Sequence, residues 1–402
     1  MYVRGIRRLF RFPGYVVDKI TLDVGMAQVN LRLDKRRRLE CPACGEPLGA
    51  SRRVRQTARD LPLGLAFVVV LVYEAVQGHC SACETWATLH PPGIGPRAKA
   101  TDRLMAFVSF LCKHLPVRRV ESIVGVSKAT VRRWDKAWLA KCLPPPNLDA
   151  LRFLLIDEKS VRRRHGYVTL VMNAESGELL FMGEGKKKAS LEAFLDVLSD
   201  AQKARIEAVA MDRNGAYYEV VRDELPEAEI VLDKFHLVAN FQSVVDEVRR
   251  QEWRHAEGQF KNVVKGQRYN LLRNPENLTE EQAARLSDLL ALNAKIHVAY
   301  VLKEAFRHLW TYTRRAWAAK YLARWTAWAQ DSAIEPIRRF VRNLEKWKDG
   351  VLAYFKYPIT NAPLEAFNAT VSRIIYRSCG VQDMDYLFLK LRQESLRANL
   401  QT

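Results

Sequence analysis

Leu154-Leu155-Ile156-Asp157 and Ala208-Val209-Ala210-Met211-Asp212 are two short apolar runs, each closed by an aspartate. Runs of this length, bounded by polar residues, have the character of strands buried on both faces. In an open α/β sheet, functional side chains project just past the strand ends. If the two strands are neighbours, Asp157 and Asp212 meet at one edge, where a carboxylate from a helix would complete a cluster. Clustered carboxylates raise one another's pKa unless a cation neutralises them. Hard divalent cations such as Mg2+ or Mn2+ prefer oxygen ligands. Two of them ~4 Å apart activate a water or a 3′-hydroxyl for phosphodiester displacement. An aspartate after a strand is equally a common turn former or helix cap, and pattern alone leaves both readings open.

Downstream, Tyr167 to Met172 and Leu179 to Met182 read as further strands joined at Ser176-Gly177, and Leu191 to Leu198 as an amphipathic helix. Ile230 to Leu232 is another strand, ending in Asp233 and running into a helix at His236. Residues 241–350 are helical and aromatic. Phe306, Trp310, Trp317, Tyr321, Trp325 and Trp328 recur at steps that make one apolar face, expected to pack into a core. The alternative is bases stacked on exposed tryptophans beside Arg314, Arg315 and Arg324. Pro363 to Leu391 is again helical, with Glu365 near its start. No P-loop, dinucleotide fingerprint or supported Ser-His-Asp arrangement appears.

Upstream, Leu143-Pro144-Pro145-Pro146-Asn147 reads as a stiff linker. Before it, Val117 to Trp134 reads as helix, glycine turn at Gly125, then a helix capped by Ser127: a helix-turn-helix. Val131 and Trp134 would pack inward, leaving Lys128, Thr130, Arg132 and Arg133 toward a DNA groove and its phosphates. Cys41-Pro42-Ala43-Cys44 and Cys80-Ser81-Ala82-Cys83 have the spacing of two zinc knuckles, so Cys41, Cys44, Cys80 and Cys83 are the expected ligands of a structural Zn2+. The basic run Lys35-Arg36-Arg37-Arg38 precedes the first knuckle. Cys112 and Cys142 fall in helical patterns and are expected in a core.

The 402-residue chain is long enough for several domains and carries 64 Lys and Arg against 45 Asp and Glu, a formal charge of +19. Residues 1–150 hold 25 of the basic and 12 of the acidic residues, which points to the N-terminal third as the nucleic-acid docking region. The basic N-terminus (Arg4, Arg7, Arg8, Arg11) is not followed by an apolar signal core, and the longest apolar run, Leu65 to Tyr73, is too short to span a bilayer. A cytoplasmic location and no membrane partner are expected.

In order along nearly the whole chain, the cysteine pairs are followed by Ile156-Asp157-Glu158, Met211-Asp212, Asp233-Lys234-Phe235-His236 and Asn361-Ala362-Pro363-Leu364-Glu365-Ala366-Phe367-Asn368. This combination resembles the bacterial insertion-sequence DDE transposases of the ISL-three family. The resemblance implies a multidomain α/β protein: zinc ribbon, helix-turn-helix, then an RNase H-like catalytic core with a long α-helical insertion. Seven segments are expected: a β hairpin and basic arm at 1–40, zinc ribbon 41–97, helix-turn-helix 98–142, linker 143–150, core 151–240, insertion 241–350 and core again 351–402. The resemblance implies that Asp157, Asp212 and Glu365 bind two Mg2+ or Mn2+ ions, with His236 in the catalytic set and Asp233 and Asn368 in support. Glu158, beside Asp157, would point to the opposite strand face and is not expected as a ligand. The implied partners are double-stranded DNA, both the element's terminal inverted repeats and target, and further copies of the chain as a dimer or larger assembly, in a nucleoid-associated setting. Rival readings are a catalytically inactive, transposase-derived regulator and a structure-specific nuclease on the same fold.

Overall fold

The computed structural model describes residues 7–64, 67–95, 99–162, 166–257, 263–380 and 382–398; Arg4 of the basic N-terminus and Leu65 of the apolar run lie outside the described residues. The chain divides into two compact units, one of residues 1–145 with 371–393, the other of 146–370 with 394–402.

In the first unit, β1 (Tyr15–Asp23), β2 (Met26–Leu33), β3 (Gly49–Leu63), β4 (Phe67–Cys80) and β5 (Thr85–Leu89) form one sheet in the order β1-β2-β4-β3, with β5 also on β4. The expected hairpin turns at Gly25, whose φ of 73° suits glycine. Alternate residues Val29 and Leu31 bury against Leu71 and Tyr73. The hairpin and the cysteine-bearing strands thus share one sheet. Three helices follow: α1 (Asp102–His114), α2 (Val117–Val124) and α3 (Lys128–Cys142). Thr101 caps α1, Gly125 ends α2 at φ 65°, and Ser127 caps α3 by accepting from the Thr130 amide. Val120, Val131 and Trp134 bury between them. Two adjacent β3 residues tie sheet to helices. Arg59 donates to the carbonyls of Gly125 (2.9 Å) and Val124 (2.8 Å). Buried Asp60 accepts from Thr101 Oγ1 (2.7 Å) and Arg103 Nε (2.6 Å). Cys112 is buried as expected, whereas Cys142 ends α3 exposed. Residues 371–393 group with this unit because buried Asp135 of α3 accepts from Tyr386 Oη (2.6 Å) and faces Lys390 Nζ (3.2 Å).

In the second unit, β6 (Phe153–Arg162), β7 (Gly166–Asn173), β8 (Leu179–Glu184), β9 (Ala208–Met211) and β10 (Glu229–Leu232) form a mixed sheet in the order β10-β9-β6-β7-β8. Strands β10, β9 and β6 run parallel, while β6-β7-β8 is antiparallel. Helices α4 (Lys188–Leu195), α5 (Asp200–Lys203) and α6 (Gly215–Glu224) follow β8 and β9. Leu191, Phe194, Tyr217 and Val221, from α4 and α6, bury against Leu154, Ile156, Val209 and Met211.

A helical mass comes next: α7 (Lys234–His255), α8 (Arg268–Leu272), α9 (Glu280–Leu292), α10 (Ala294–His308), α11 (Arg315–Asp331), α12 (Glu335–Glu345) and α13 (Lys348–Ala353). They share one core centred on Phe241, Phe306, Trp325 and Phe340, and Leu232 of β10 joins it. Gly350 lets α13 approach β10: a Cβ there would sit 2.9 Å from Leu232 Cγ. The aromatic series expected to form one buried face is split. Phe306 and Trp325 are buried, with ring centroids 4.7 Å apart, but Trp317 is 56% and Trp328 45% exposed. The buried positions of α11 are Ala318, Leu322, Trp325, Thr326 and Ala329. Trp317 and Trp328 stand one residue aside from these, about 100° around the helix. Helices α14 (Ala362–Arg377) and α15 (Met384–Ala398) complete the chain. No helix of the described residues is long and apolar enough to cross a membrane.

Candidate active site

The register of the second sheet sets the site. Ile156 pairs with Met211 across β6 and β9, and Met211 with Leu232 across β9 and β10. The next residue on each strand is therefore acidic: Asp157, Asp212 and Asp233, at one level on three neighbouring parallel strands. Their environments then part them.

Asp233 is 1% exposed and fully committed to backbone. One of its oxygens accepts from the amides of Phe235 (2.7 Å) and His236 (3.2 Å), capping α7. The other accepts from the Asn361 amide at 2.7 Å. The Asn361 side chain, itself buried, donates to the Ile156 carbonyl at 3.0 Å. Its own carbonyl receives the Glu365 amide at 2.8 Å, starting α14. One carboxylate and one carboxamide thus join the end of β10 and the middle of β6 to the starts of α7 and α14, and those two helices carry His236 and Glu365.

Asp157, Asp212, His236, Glu365 and Asn368 line one open cavity of about 690 Å3, together with Glu158, Tyr167, Arg213 and Asn214. His236 Nε2 lies 2.8 Å from Glu365 Oε1 and 3.3 Å from Asp212 Oδ1. A carboxylate only accepts, so Nε2 is the protonated nitrogen if the Glu365 bond is made. Asn368, one turn after Glu365, donates to Asp157 Oδ2 at 2.6 Å. Burial raises the Asp212 carboxyl to about 6; His236 opposes this, while the charges of Asp157, Asp233 and Glu365 add to it. Asp212 Oδ1 is buried and, apart from the 3.3 Å contact with His236, has no hydrogen-bond partner among the described residues.

Two neighbours, Arg213 and Asn214, escaped the sequence reading, and a third, Glu158, was placed on the wrong face. Arg213 is half-buried in the cavity wall and its Nε has no partner; burial lowers its pKa. An arginine after an aspartate carries no signal of its own. Asn214 caps α6 and also donates to Glu158 Oε1 at 2.5 Å. Glu158, expected on the opposite strand face, lines the same cavity as Asp157. Its amide donates to Asp157 Oδ1 (2.7 Å), and burial raises its carboxyl above the ordinary range.

In the first unit, the sulfurs of Cys41, Cys44, Cys80 and Cys83 all lie within 4.8 Å of one another, the one such ligand set among the described residues. Cys41 is 3.6 Å from Cys83, and Cys44 is 3.5 Å from Cys80 and 3.7 Å from Cys83. Tetrahedral zinc with Zn–S of about 2.3 Å sets S···S near 3.8 Å. Gly45 turns the first knuckle at φ 78°, and Glu84 takes φ 50° in the second. The amides of Ala43 and Cys44 pull the Cys41 thiol down to about 6. The Cys44 thiol also receives the Glu46 amide, but the Cys80 sulfur, burial and the other two cysteines push it up to about 12. Thiols that compete in this way gain from a shared cation.

The residues expected to face DNA fare differently. Arg133 is exposed on α3, and Arg36 and Arg38 are exposed after β2. Lys128 sits 3.9 Å from Glu121, and the Thr130 hydroxyl 3.1 Å from that of Ser127. Arg37 lies over the Tyr15 ring at 5.6 Å. Arg132 departs from the expectation: its guanidinium donates to the Ser378 carbonyl (2.6 Å) and the Gly380 carbonyl (3.3 Å), partners too distant in sequence to foresee.

Residues 154–391 match the family DDE_Tnp_ISL3, described as a transposase. The transposase for insertion sequence element IS1001 of Bordetella parapertussis is 32% identical over 359 residues, 88% of this chain and 87% of that protein. The transposase for insertion sequence element IS1557 of Mycobacterium tuberculosis (strain CDC 1551 / Oshkosh) is 30% identical over 244 residues, 55% of each chain.

The Asp233–Asn361 junction yields a stability prediction. Asn361→Ala strips a buried carbonyl, that of Ile156, of its partner and is expected to cost about 1–3 kcal/mol in urea unfolding. Asn361→Asp, which sets a carboxylate against that carbonyl and Asp233, should cost more. A loss under ~0.5 kcal/mol for both contradicts the assigned role.

Proposed function

The chain belongs to the ISL3 family of insertion-sequence transposases, and from that premise we propose that it cuts and joins DNA with the carboxylates of Asp157, Asp212 and Glu365. The observation that carries the reading is the register of β6 and β9, which sets Asp157, within β6, beside Asp212, just past the end of β9, facing Glu365 across one cavity. The same sheet, three parallel strands continued by two antiparallel ones, supports reading residues 151–240 and 351–370 as an RNase H-like core, with 241–350 as its helical insertion.

The donor set fits divalent cations. It is all oxygen, it holds a carboxylate whose ordinary ionisation is suppressed, and the buried Asp212 Oδ1 has no hydrogen bond among the described residues. Asp157, Asp212 and Glu365 would hold two Mg2+ or Mn2+ ions, which when bound supply Lewis-acid activation of a water or 3′-hydroxyl and offset charge on the phosphate. The chain's own residues do the positioning. Asn368 fixes the rotamer of Asp157, and His236 fixes Glu365 between α7 and α14. Arg213, half-buried with an open Nε, supplies a positive charge for the scissile phosphate. The neutral amide of Asn214 holds Glu158 aside, outside the ligand set.

In this reading the four cysteines hold structural zinc. The helix-turn-helix, with Lys128, Thr130 and Arg133 on α3, and the basic run Arg36 to Arg38 dock the first unit on the element's terminal inverted repeats. Arg132 serves that docking indirectly, by anchoring α3. Two ends must be held together for joining to target DNA, so a dimer or larger assembly on DNA is part of the proposal.

Cleavage of a DNA carrying the element ends, in Mg2+ or Mn2+, tests the reading. Asp157→Ala should abolish cutting and strand transfer and leave end binding intact; normal cutting by that variant rejects the triad. The Asp212 carboxyl gives a second expectation. Its folded pKa of about 6 lies above the ordinary value, so its contribution to stability is present below about pH 4 and lost as pH rises through 6. With the side chain 37% exposed, solvent screening leaves a penalty on the order of 1 kcal/mol at pH 7.5. Asp212→Asn should therefore raise the metal-free Tm by a few degrees at pH 7.5 but not at pH 4, and should lose the Mn2+-induced rise in Tm. A lower metal-free Tm at pH 7.5 contradicts the repulsion argument.

A further inference from the structure

Helix α11 presents an outward face that the active-site reading does not use. Trp317 and Trp328 are 11 residues apart, about three turns and some 16 Å along the axis, so they lie within about 20° of the same azimuth. Arg324 falls between them on that azimuth and Lys320 about 60° to one side. Both tryptophans are exposed, as are Arg314, Lys320 and Arg324. Among the described residues these three cations form no ion pair or hydrogen bond, although basic residues nearby do. Arg315 pairs with Glu229, Arg339 with Glu247 and Arg342 with Glu335. Lys320 Nζ stands 5.0 Å over the Trp317 ring. The sole acidic residue of α11 is Asp331, at its last position.

We propose that this face is a single-stranded DNA binding site, with unpaired bases stacked on Trp317 and Trp328 and the intervening phosphates held by Lys320 and Arg324. Large exposed indoles are normally buried against something. Three occupants differ in the charge and shape they would bring to this face. A second copy of α11 would bring unpaired cations against like cations. A duplex offers phosphates to Lys320 and Arg324, but its bases are stacked on one another and only its ends present a ring face. A single strand offers both, because every base has a ring face for an indole and a phosphate for the cation beside it. The face has room for a short run of nucleotides, such as the strand freed when an element end is opened. Ala316, Ala323 and Ala327, exposed to one side of the stripe, leave its flank low enough for a backbone to approach. The inference rests on DNA as the partner and not on the carboxylate chemistry.

The test is equilibrium binding of the full-length protein, without divalent metal, to a fluorescent mixed-sequence single-stranded oligonucleotide and to an unrelated duplex. Trp317→Ala and Trp328→Ala are each expected to weaken single-strand binding on the order of tenfold, with duplex binding unchanged. Trp317→Phe and Trp328→Phe should recover most of the loss. Lys320→Glu with Arg324→Glu should reduce the salt dependence of single-strand binding. These residues are exposed, so thermal unfolding should match wild type. Unchanged single-strand affinity in the Trp→Ala variants overturns the proposal, as does an equal loss for duplex. A change in the sedimentation of the DNA-free protein also overturns it and assigns the face to contact between copies. In none of these cases is the active-site reading touched, since no cleavage is measured.

Discussion

Asp233 is nearly inaccessible to water and binds no side-chain cation among the described residues; its charge is met by the amides of Phe235, His236 and Asn361. A buried carboxylate is tolerable only with such donors. Those three amides belong to the first turn of α7 and the residue before α14, so the need to satisfy one carboxylate fixes where both helices start. Asn361 extends the same junction to the Ile156 carbonyl, one residue before Asp157. Glu365 is 208 residues (365 − 157) from Asp157, yet it is set by the same few bonds. The positions of His236, Glu365 and Asn368 all follow from it.

Against that neutralised carboxylate, Asp212 is the opposite case. It is half-buried, has a buried oxygen with no hydrogen bond among the described residues and only the 3.3 Å contact with His236, and faces three other carboxylates, so its proton is held more tightly than usual. Two aspartates at equivalent strand ends therefore have opposed duties: Asp233 stabilises the frame and Asp212 keeps an unmet demand for positive charge. His236 meets that demand only in part, since it also lies 2.8 Å from Glu365. Binding sites commonly hold such local conflicts in place by rigid surroundings.

What the sequence disclosed follows the same division. Asp157 and Asp212 were legible because strand burial is a local property written in Leu154 to Ile156 and Ala208 to Met211. The cap at Ser127 and the Gly125 turn were legible for the same reason, and so was the pairing of the cysteines. Glu365 could be singled out only through family resemblance, because its partners are more than a hundred residues distant. Arg132 misled because its side chain is spent on carbonyls near 380, and the aromatic series misled because Trp317 and Trp328 stand about 100° around α11 from its buried positions. Asn361 and Arg213 gave no local sign: one acts on two distant strands, the other through a cavity that exists only once the sheet has formed.

The central claim is that Asp157, Asp212 and Glu365 together are a divalent-cation site. Crystals of the full chain soaked in Mn2+ and measured at the manganese absorption edge test it most directly. The account predicts anomalous peaks among these three carboxylates, with Asp212 Oδ1 a ligand, and their disappearance in Asp212→Asn. Full-occupancy manganese elsewhere with none among the three carboxylates, or peaks that persist in Asp212→Asn, would contradict it.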